Sequence, residues 1–254
     1  MEKRKQGKLK ILYIDFETCT LIGQFYGSIW ETNIVKIIRH QQITSGSYGW
    51  HGESKVYSVG QDDFKGYKKG VFNDKEIVKF FADLCLQADY IVMHNGDSFD
   101  IKVLNARILF HRLTPIPPKK TFDTKKQAKS GFYFPSNKLD HIADFLGIKR
   151  KIDIRLPEVT DRCEKGDPKA WKELKEYGKR DTVVLKDVFK LILPYVKLPA
   201  VFSKAHRDST LCPNPVCGSS KTQRRGTETT KGGVLKQRYQ CQSCGRWFYG
   251  EKIK

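Results

Sequence analysis

Long apolar runs are missing from this sequence of 254 residues. None approaches the roughly 18 residues that a membrane-spanning helix needs, which excludes a transmembrane helix. The basic, polar start from Met1 to Lys10 has no apolar stretch of signal-peptide type behind it, so a cytoplasmic protein is expected. Acidic residues are scarce: 28 Asp and Glu face 47 Lys and Arg, a net charge of +19. An excess of that size makes a polyanion the expected partner, nucleic acid first, ahead of an anionic membrane surface. Internal repeats and low-complexity tracts are absent, which excludes a repeat array. What is present suffices for a core, with 39% hydrophobic and 12% aromatic residues. The length fits one large domain and one small one.

The run Lys10 to Phe16 reads as a short apolar strand. The region from Gln24 to Val59, broken by Gly27, Gly46, Gly49 and Gly52, reads as two or three strands with loops. Asn73 or Asp74 can cap a helix that runs to about Gln87, with Ile77, Val78, Phe80, Phe81 and Leu84 at helical spacing. Tyr90 to His94 is a second buried strand. Asp97 or Ser98 can cap the helix carrying Ile101, Leu104, Ile108 and Leu109. Thr114 to Pro118 is a proline-rich loop. Leu139 to Leu146 is a helix stopped by Gly147. The charged stretch from Lys149 to Asp167 reads as a loop with short helical turns. Pro168 sits in the first turn of a last helix that reaches about Leu193, with a bend expected near Gly178. Strands giving way to alternating strands and helices predict an α/β fold, a mixed sheet with helices packed on it.

A basic chain that places carboxylates at the ends of buried strands needs a reason. Asp15 and Glu17 end the first strand two residues apart, so both point to one side and Phe16 to the other. Alone, the pair reads equally as solvated strand-end acids. His94-Asn-Gly-Asp-Ser-Phe-Asp100 joins a strand to a helix, where ligand-facing loops of α/β sheets sit. Asp100 there can also be a favourable charge at a helix N-terminus, and His94 reads as a strand-end histidine of no special role. Tyr177 and Asp181 are four apart and share a helix face; by themselves they fit an exposed helix with scattered charge.

Together these three motifs resemble the DEDD exonuclease superfamily in its tyrosine-bearing branch, which includes the proofreading domains of family B DNA polymerases. The matching residues are Ile14-Asp-Phe-Glu-Thr18, His94-Asn-Gly-Asp-Ser-Phe-Asp100 and Tyr177-Gly-Lys-Arg-Asp181. Lys138 to Ile148 is similar to the helix preceding the third motif there. The resemblance covers residues 10–195 and implies a ribonuclease H-like fold and 3′–5′ exonuclease chemistry. It implies that Asp15, Glu17, Asp100 and Asp181 hold two Mg2+ or Mn2+ ions and that Tyr177 positions or helps deprotonate the attacking water. It also implies that Asn95 and Phe99 contact the terminal nucleotides. Hard divalent ions take oxygen ligands, which suits four carboxylates. Phe16 is expected in the core or near the terminal base. The chain leaves no room for a polymerase, so the activity is expected to be free-standing, or supplied in trans to a replication, repair or mobile-element protein.

Of seven cysteines, Cys19, Cys85 and Cys163 are scattered and four fall close together near the end. Cys212-x4-Cys217 and Cys241-x2-Cys244 predict a closed structural zinc site, with Gly218 and Gly245 supplying the permissive backbone of two knuckles. The segment resembles a zinc ribbon, and its tail is similar to ribbons at the ends of some transposases. Residues 204–254 carry 11 Lys and Arg against three acids. Arg224, Arg225, Arg238, Arg246 and Trp247 are candidates for nucleic-acid contact, phosphates on the cations and a base on the ring. Tyr239 and Phe248 read as the ribbon's own small core. The expected domains are residues 1–197, ribonuclease H-like; 198–210, a linker that contains His206; and 211–254, the zinc ribbon. DNA, single-stranded, is expected ahead of RNA as the substrate. An RNA exonuclease or a structure-selective endonuclease would use the same acids, and a non-catalytic nucleic-acid-binding module would need none of them.

Overall fold

The computed structural model describes residues 9–27, 33–149, 154–198 and 210–253. Residues 199–209 of the expected linker, with His206, lie outside the described residues.

Among the described residues, ten strands and six α-helices follow one another. The strands are β1 (Ile11–Thr18), β2 (Ile22–Gln24), β3 (Lys36–Arg39), β4 (Ile43–Trp50), β5 (Val56–Gly60), β6 (Tyr90–Met93), β7 (Lys120–Asp123), β8 (Thr222–Thr229), β9 (Leu235–Cys241) and β10 (Trp247–Lys252). The helices are α1 (Lys75–Gln87), α2 (Asp100–Phe110), α3 (Thr124–Gly131), α4 (Leu139–Phe145), α5 (Leu156–Glu164) and α6 (Pro168–Ile192). The main sheet has the order β5-β4-β1-β6-β7. Strands β1, β6 and β7 run parallel, and β4 and β5 are antiparallel to their neighbours. This is a mixed sheet flanked by helices on both faces, the ribonuclease H-like architecture.

Alternation along β1 assigns the faces. Leu12, Ile14 and Phe16 join the core under α1 and α2. Ile11 and Tyr13 join the core under α4 and α6. Period two then turns Asp15 and Glu17 toward the α6 side. Phe16 lies in the core, its ring edge-on to Phe81 at 4.7 Å between centroids. Gly46 pairs with Phe16 across the sheet. A Cβ there would come within 2.5 Å of the Phe81 ring, so only glycine fits.

Several element ends differ from the sequence expectations. The Asp74 carboxylate does not cap α1. It is fully buried and takes both Nε and Nη2 of Arg107 at 2.7 Å and the Ile43 N–H at 3.0 Å; Asn73 accepts the Lys75 N–H instead. Helix α2 starts at Asp100 with Phe99 at its N-cap, not Asp97 or Ser98, because Asn95 turns the chain at φ 66° and residues 95–98 form a separate turn. The charged stretch after residue 149 contains helix α5, with Pro157 in its first turn. Helix α6 runs without a break through Gly178. Between β1 and β4 the chain makes a two-stranded ribbon, β2–β3. Among the described residues, no helix is long and apolar enough to cross a membrane.

The C-terminal strands form their own sheet, β10-β9-β8. Its core is Tyr239 stacked on Phe248 at 5.5 Å, together with Cys212 and Cys241. The sheet is seated on the end of α6. Arg246 donates from Nη1 to the Leu193 and Pro194 carbonyls at 2.7 and 3.2 Å, and from Nη2 to the Val196 carbonyl at 3.0 Å. These carbonyls belong to the turn that follows α6, and a cation placed beyond a helix C-terminus also favours the helix dipole.

Candidate active site and cysteine centre

The parallel strands β1, β6 and β7 end together, and their ends gather the acids. Asp15 and Glu17 project from β1 toward α6. Ser47, the register partner of Asp15 on β4, holds that helix down. Its Oγ donates to the Gly178 carbonyl at 2.6 Å and lies 2.7 Å from the Thr182 hydroxyl. A Cβ on Gly178 would meet the Ser47 Oγ at 3.4 Å, an ordinary contact, so it is the Ser47 hydrogen bond that seats α6 here. Asp181 is thereby brought over β1. Carboxylate oxygens of Asp15, Glu17 and Asp181 all lie within 4.8 Å of one another.

Asp100 approaches β1 from the first turn of α2, but it is not one of the three carboxylates that converge. Its Oδ1 accepts the N–H of Phe16, the residue between Asp15 and Glu17, at 3.0 Å. Burial pushes its carboxyl up to about 7. That shift reflects a charge placed where water cannot screen it, and a cation is the partner that would favour the ionised form. Tyr177 stands one helical turn before Asp181 on α6, half-buried.

The donor set is chemically consistent with hard divalent ions: the three converging groups offer oxygen ligands only, and they are clustered.

Asn95 and Phe99 lie in the loop between β6 and α2, both half-buried. His94 has a structural place, with Nδ1 2.9 Å from the Thr124 hydroxyl and Nε2 3.0 Å from the Asn137 carbonyl.

Asp123, at the end of β7, was not singled out by the sequence. Its Oδ1 accepts the N–H groups of Asn95, Lys125 and Lys126, and its Oδ2 that of Asp97. One carboxylate thus caps α3 and fixes the loop that carries Asn95, Phe99 and Asp100. The readable signal was an acid at a strand end directly before a helix. Asp123→Ala should lower stability by about 3 kcal/mol, from a lost cap and unsatisfied buried N–H groups. Asp123→Asn, which keeps an acceptor oxygen, should recover part of it. Urea unfolding of the two variants checks this, and equal loss in both would refute the acceptor role.

The cysteine centre brings Cys212, Cys217, Cys241 and Cys244 together. The Sγ atoms of Cys212 and Cys244 are 3.6 Å apart, and those of Cys217 and Cys241 are 3.7 Å apart. Zinc–thiolate bonds of about 2.3 Å in a tetrahedron put sulfurs about 3.8 Å apart, so the cage has the right size. Burial pushes the Cys217 thiol up to about 11, which a bound dication would reverse. Gly218 and Gly245 adopt φ 55° and 76° at the two knuckles. The strands and the cluster fit a small zinc ribbon. Cys19, Cys85 and Cys163 are buried apart from it.

The basic candidates of the ribbon divide. Arg224 is exposed, and Arg225 bonds Gln240 from an exposed position. Arg238 pairs with Glu228 at 3.0 Å and lies over the Trp247 ring at 4.7 Å. Arg246 differs from its sequence expectation, since its guanidinium is engaged by the end of α6 and docks the ribbon.

A search of the curated proteins finds no match. Among solved structures, the chain is similar to the family B DNA polymerase from the hyperthermophilic archaeon Pyrobaculum calidifontis, at 14% identity and a TM-score of 0.56. The match covers 88% of this chain and 31% of that one. At this identity the likeness is one of fold. The profile described as RNase_H superfamily matches residues 50–193, which takes in Asp100, Tyr177 and Asp181 and begins after Asp15 and Glu17. With more than half of its length matched, and the mixed sheet that goes with it, the chain belongs to the RNase H superfamily.

Proposed function

We propose that the chain is a metal-dependent 3′–5′ exonuclease of the tyrosine-bearing DEDD branch, acting on single-stranded DNA. The observation that carries the reading is the convergence of Asp15, Glu17 and Asp181 within 4.8 Å, with Asp100 tied to the same strand. These four acids would hold two Mg2+ or Mn2+ ions. When bound, such ions neutralise charge on the reacting phosphate and make a hydroxide accessible near neutral pH.

The remaining work belongs to the chain's own groups. Asn95 and Phe99, held by the Asp123-anchored loop, are placed to orient the last nucleotides, which lowers the entropy cost of reaching the reactive geometry. The Tyr177 hydroxyl, on the helix face of Asp181, can hold the attacking water by a hydrogen bond. Water oxygen attacks phosphorus, the bond to the 3′ oxygen breaks, and that oxygen takes a proton to become the new 3′-hydroxyl. The product is a 5′-mononucleotide.

The ribbon over residues 211–254 would hold one structural zinc and bind substrate through Arg224, Arg225 and Arg238, raising local substrate concentration at the acids. Residues 1–197 would form the nuclease domain. The test is a 5′-labelled single strand of DNA or RNA incubated with Mg2+, Mn2+ or EDTA. The expected result is a metal-dependent ladder that shortens from the 3′ end, faster on DNA. Internal cleavage, or no cleavage with binding retained, would refute exonuclease action, and a faster ladder on RNA would overturn the choice of DNA.

A further inference from the structure

Two rings stand open at the seam between α6 and the ribbon. Tyr195 is 78% exposed and Trp247 48%. Both line a groove of about 580 Å3, with Lys197 and Arg246 beside them and no carboxylate among its lining residues. Arg238 lies over the Trp247 ring. Aromatic faces flanked by cations match what an unpaired nucleotide offers, a π-face and a phosphate. A base inside a duplex has no free face to present, and the surplus of positive charge on this chain favours a polyanion.

The groove also has a route to the acids. Tyr195 meets Phe132 edge-on at 6.0 Å, and Phe132 stacks on Phe134 at 5.4 Å. From there the loop runs to Asn137, whose carbonyl bonds His94, the residue before Asn95. Phe132 to Asn137 spans at most about 16 Å of extended chain. On the other side, Asp181 to Leu193 is about 18 Å along α6. A single strand stacked at 3.4 Å per nucleotide would cover that span with roughly five nucleotides. Arg246 fixes the distance, because it holds the ribbon to the carbonyls of Leu193 and Val196, just past the end of the helix that carries Asp181.

We propose that this groove is an upstream subsite for single-stranded nucleic acid whose 3′ end lies at the carboxylates. A base about five nucleotides from the end stacks on Tyr195 and Trp247, and Lys197 faces its phosphates. This rests on the exonuclease reading for the position of the 3′ end, and binding in calcium, which supports no turnover, tests it without any chemistry.

The experiment compares fluorescein-labelled oligothymidylates of 20 and 3 nucleotides on the full-length protein in calcium buffer without chelator, which leaves the cysteine centre intact. Tyr195→Ala should weaken the 20-mer about tenfold and leave the trinucleotide, which cannot reach the groove, within twofold. Tyr195→Phe should bind like the wild type. Trp247→Ala should repeat the loss with zinc content intact by native mass spectrometry, which separates loss of the ring from loss of the ribbon. An unchanged 20-mer affinity in both alanine variants overturns the subsite. An equal loss for both lengths overturns its upstream placement. Absence of any cleavage when Mg2+ is added strikes the exonuclease reading alone, since the length-dependent loss of binding stands without it.

Discussion

Asp181→Asn is expected to abolish hydrolysis and to leave the protein at least as stable as before. Removing a carboxylate that holds a catalytic ion takes away several kcal/mol of transition-state stabilisation, a loss of about a thousandfold or more in rate. Stability should move the other way. Two carboxylates 4.8 Å apart repel by about 3 kcal/mol at an effective dielectric constant of about 20, and Asp181 has Asp15 and Glu17 within that distance. In EDTA, neutralising it relieves that repulsion. Substrate binding in calcium, which supports binding without turnover, should stay within about threefold, because cations of the ribbon and the stacking residues supply most of the affinity.

The pairing of the two readouts separates function from scaffold. If Asp181 were a structural residue, its loss would lower the melting temperature and take activity with it. If the cluster were a set of solvated acids, neither quantity would move. Activity lost with melting temperature held or raised belongs to a site that holds charge at the expense of the fold. Asp15→Asn should behave in the same way, and its retention of metal-dependent activity would refute the assignment. Asp100 is the useful contrast. Its carboxyl is buried and bonded to the Phe16 N–H, so Asp100→Ala removes a structural hydrogen bond along with a ligand and is expected to cost stability as well as rate.

Much of this arrangement was legible because each local rule pointed the same way. Alternation along β1 separated Asp15 and Glu17 from Phe16, and the structure places them on opposite faces of the sheet. Four-residue spacing put Tyr177 and Asp181 on one side of a helix. What was not legible depends on partners distant in sequence. Asp74 has the look of a cap, but a buried Arg107 33 residues away takes its carboxylate. The start of α2 depends on Asn95 adopting a left-handed backbone, which asparagine tolerates without announcing it. Strand β7 is four residues long, too short for a period to emerge. The β2–β3 ribbon leaves Ile22, Phe25, Ile37 and Ile38 exposed, and composition alone cannot tell such a strand from a buried one. Gly178 invited a bend, whereas the hydrogen bond its carbonyl accepts from Ser47 is a tertiary fact. Arg246 sat among cations that read as phosphate contacts, and only the fold shows that it meets the end of α6.

Removing zinc from the C-terminal segment is expected to unfold that segment and to leave the nuclease domain intact. Apart from the thiols, its core consists of Tyr239 and Phe248, far too little apolar surface to hold three strands by burial. Structural zinc in small modules contributes about 10–16 kcal/mol of folding free energy, so on the proposed zinc reading the metal decides whether this segment folds. Cys212→Ser should act as a chelator does, because Cys212 is fully buried and three ligands leave the cage open. The body of the protein has its own cores on both faces of the main sheet, and none of them draws on the four ligands. The measurement is trypsin digestion before and after chelation, read by mass spectrometry at Arg224, Arg225 and Lys236. Cleavage there should accelerate at least about tenfold, since access to these bonds requires local unfolding, while sites within α1 and α6 stay protected. Unchanged protection of β8 and β9 in metal-free protein would refute the zinc requirement. Loss of protection throughout the chain would mean that the ribbon, through Arg246 and the end of α6, holds the nuclease domain together as well.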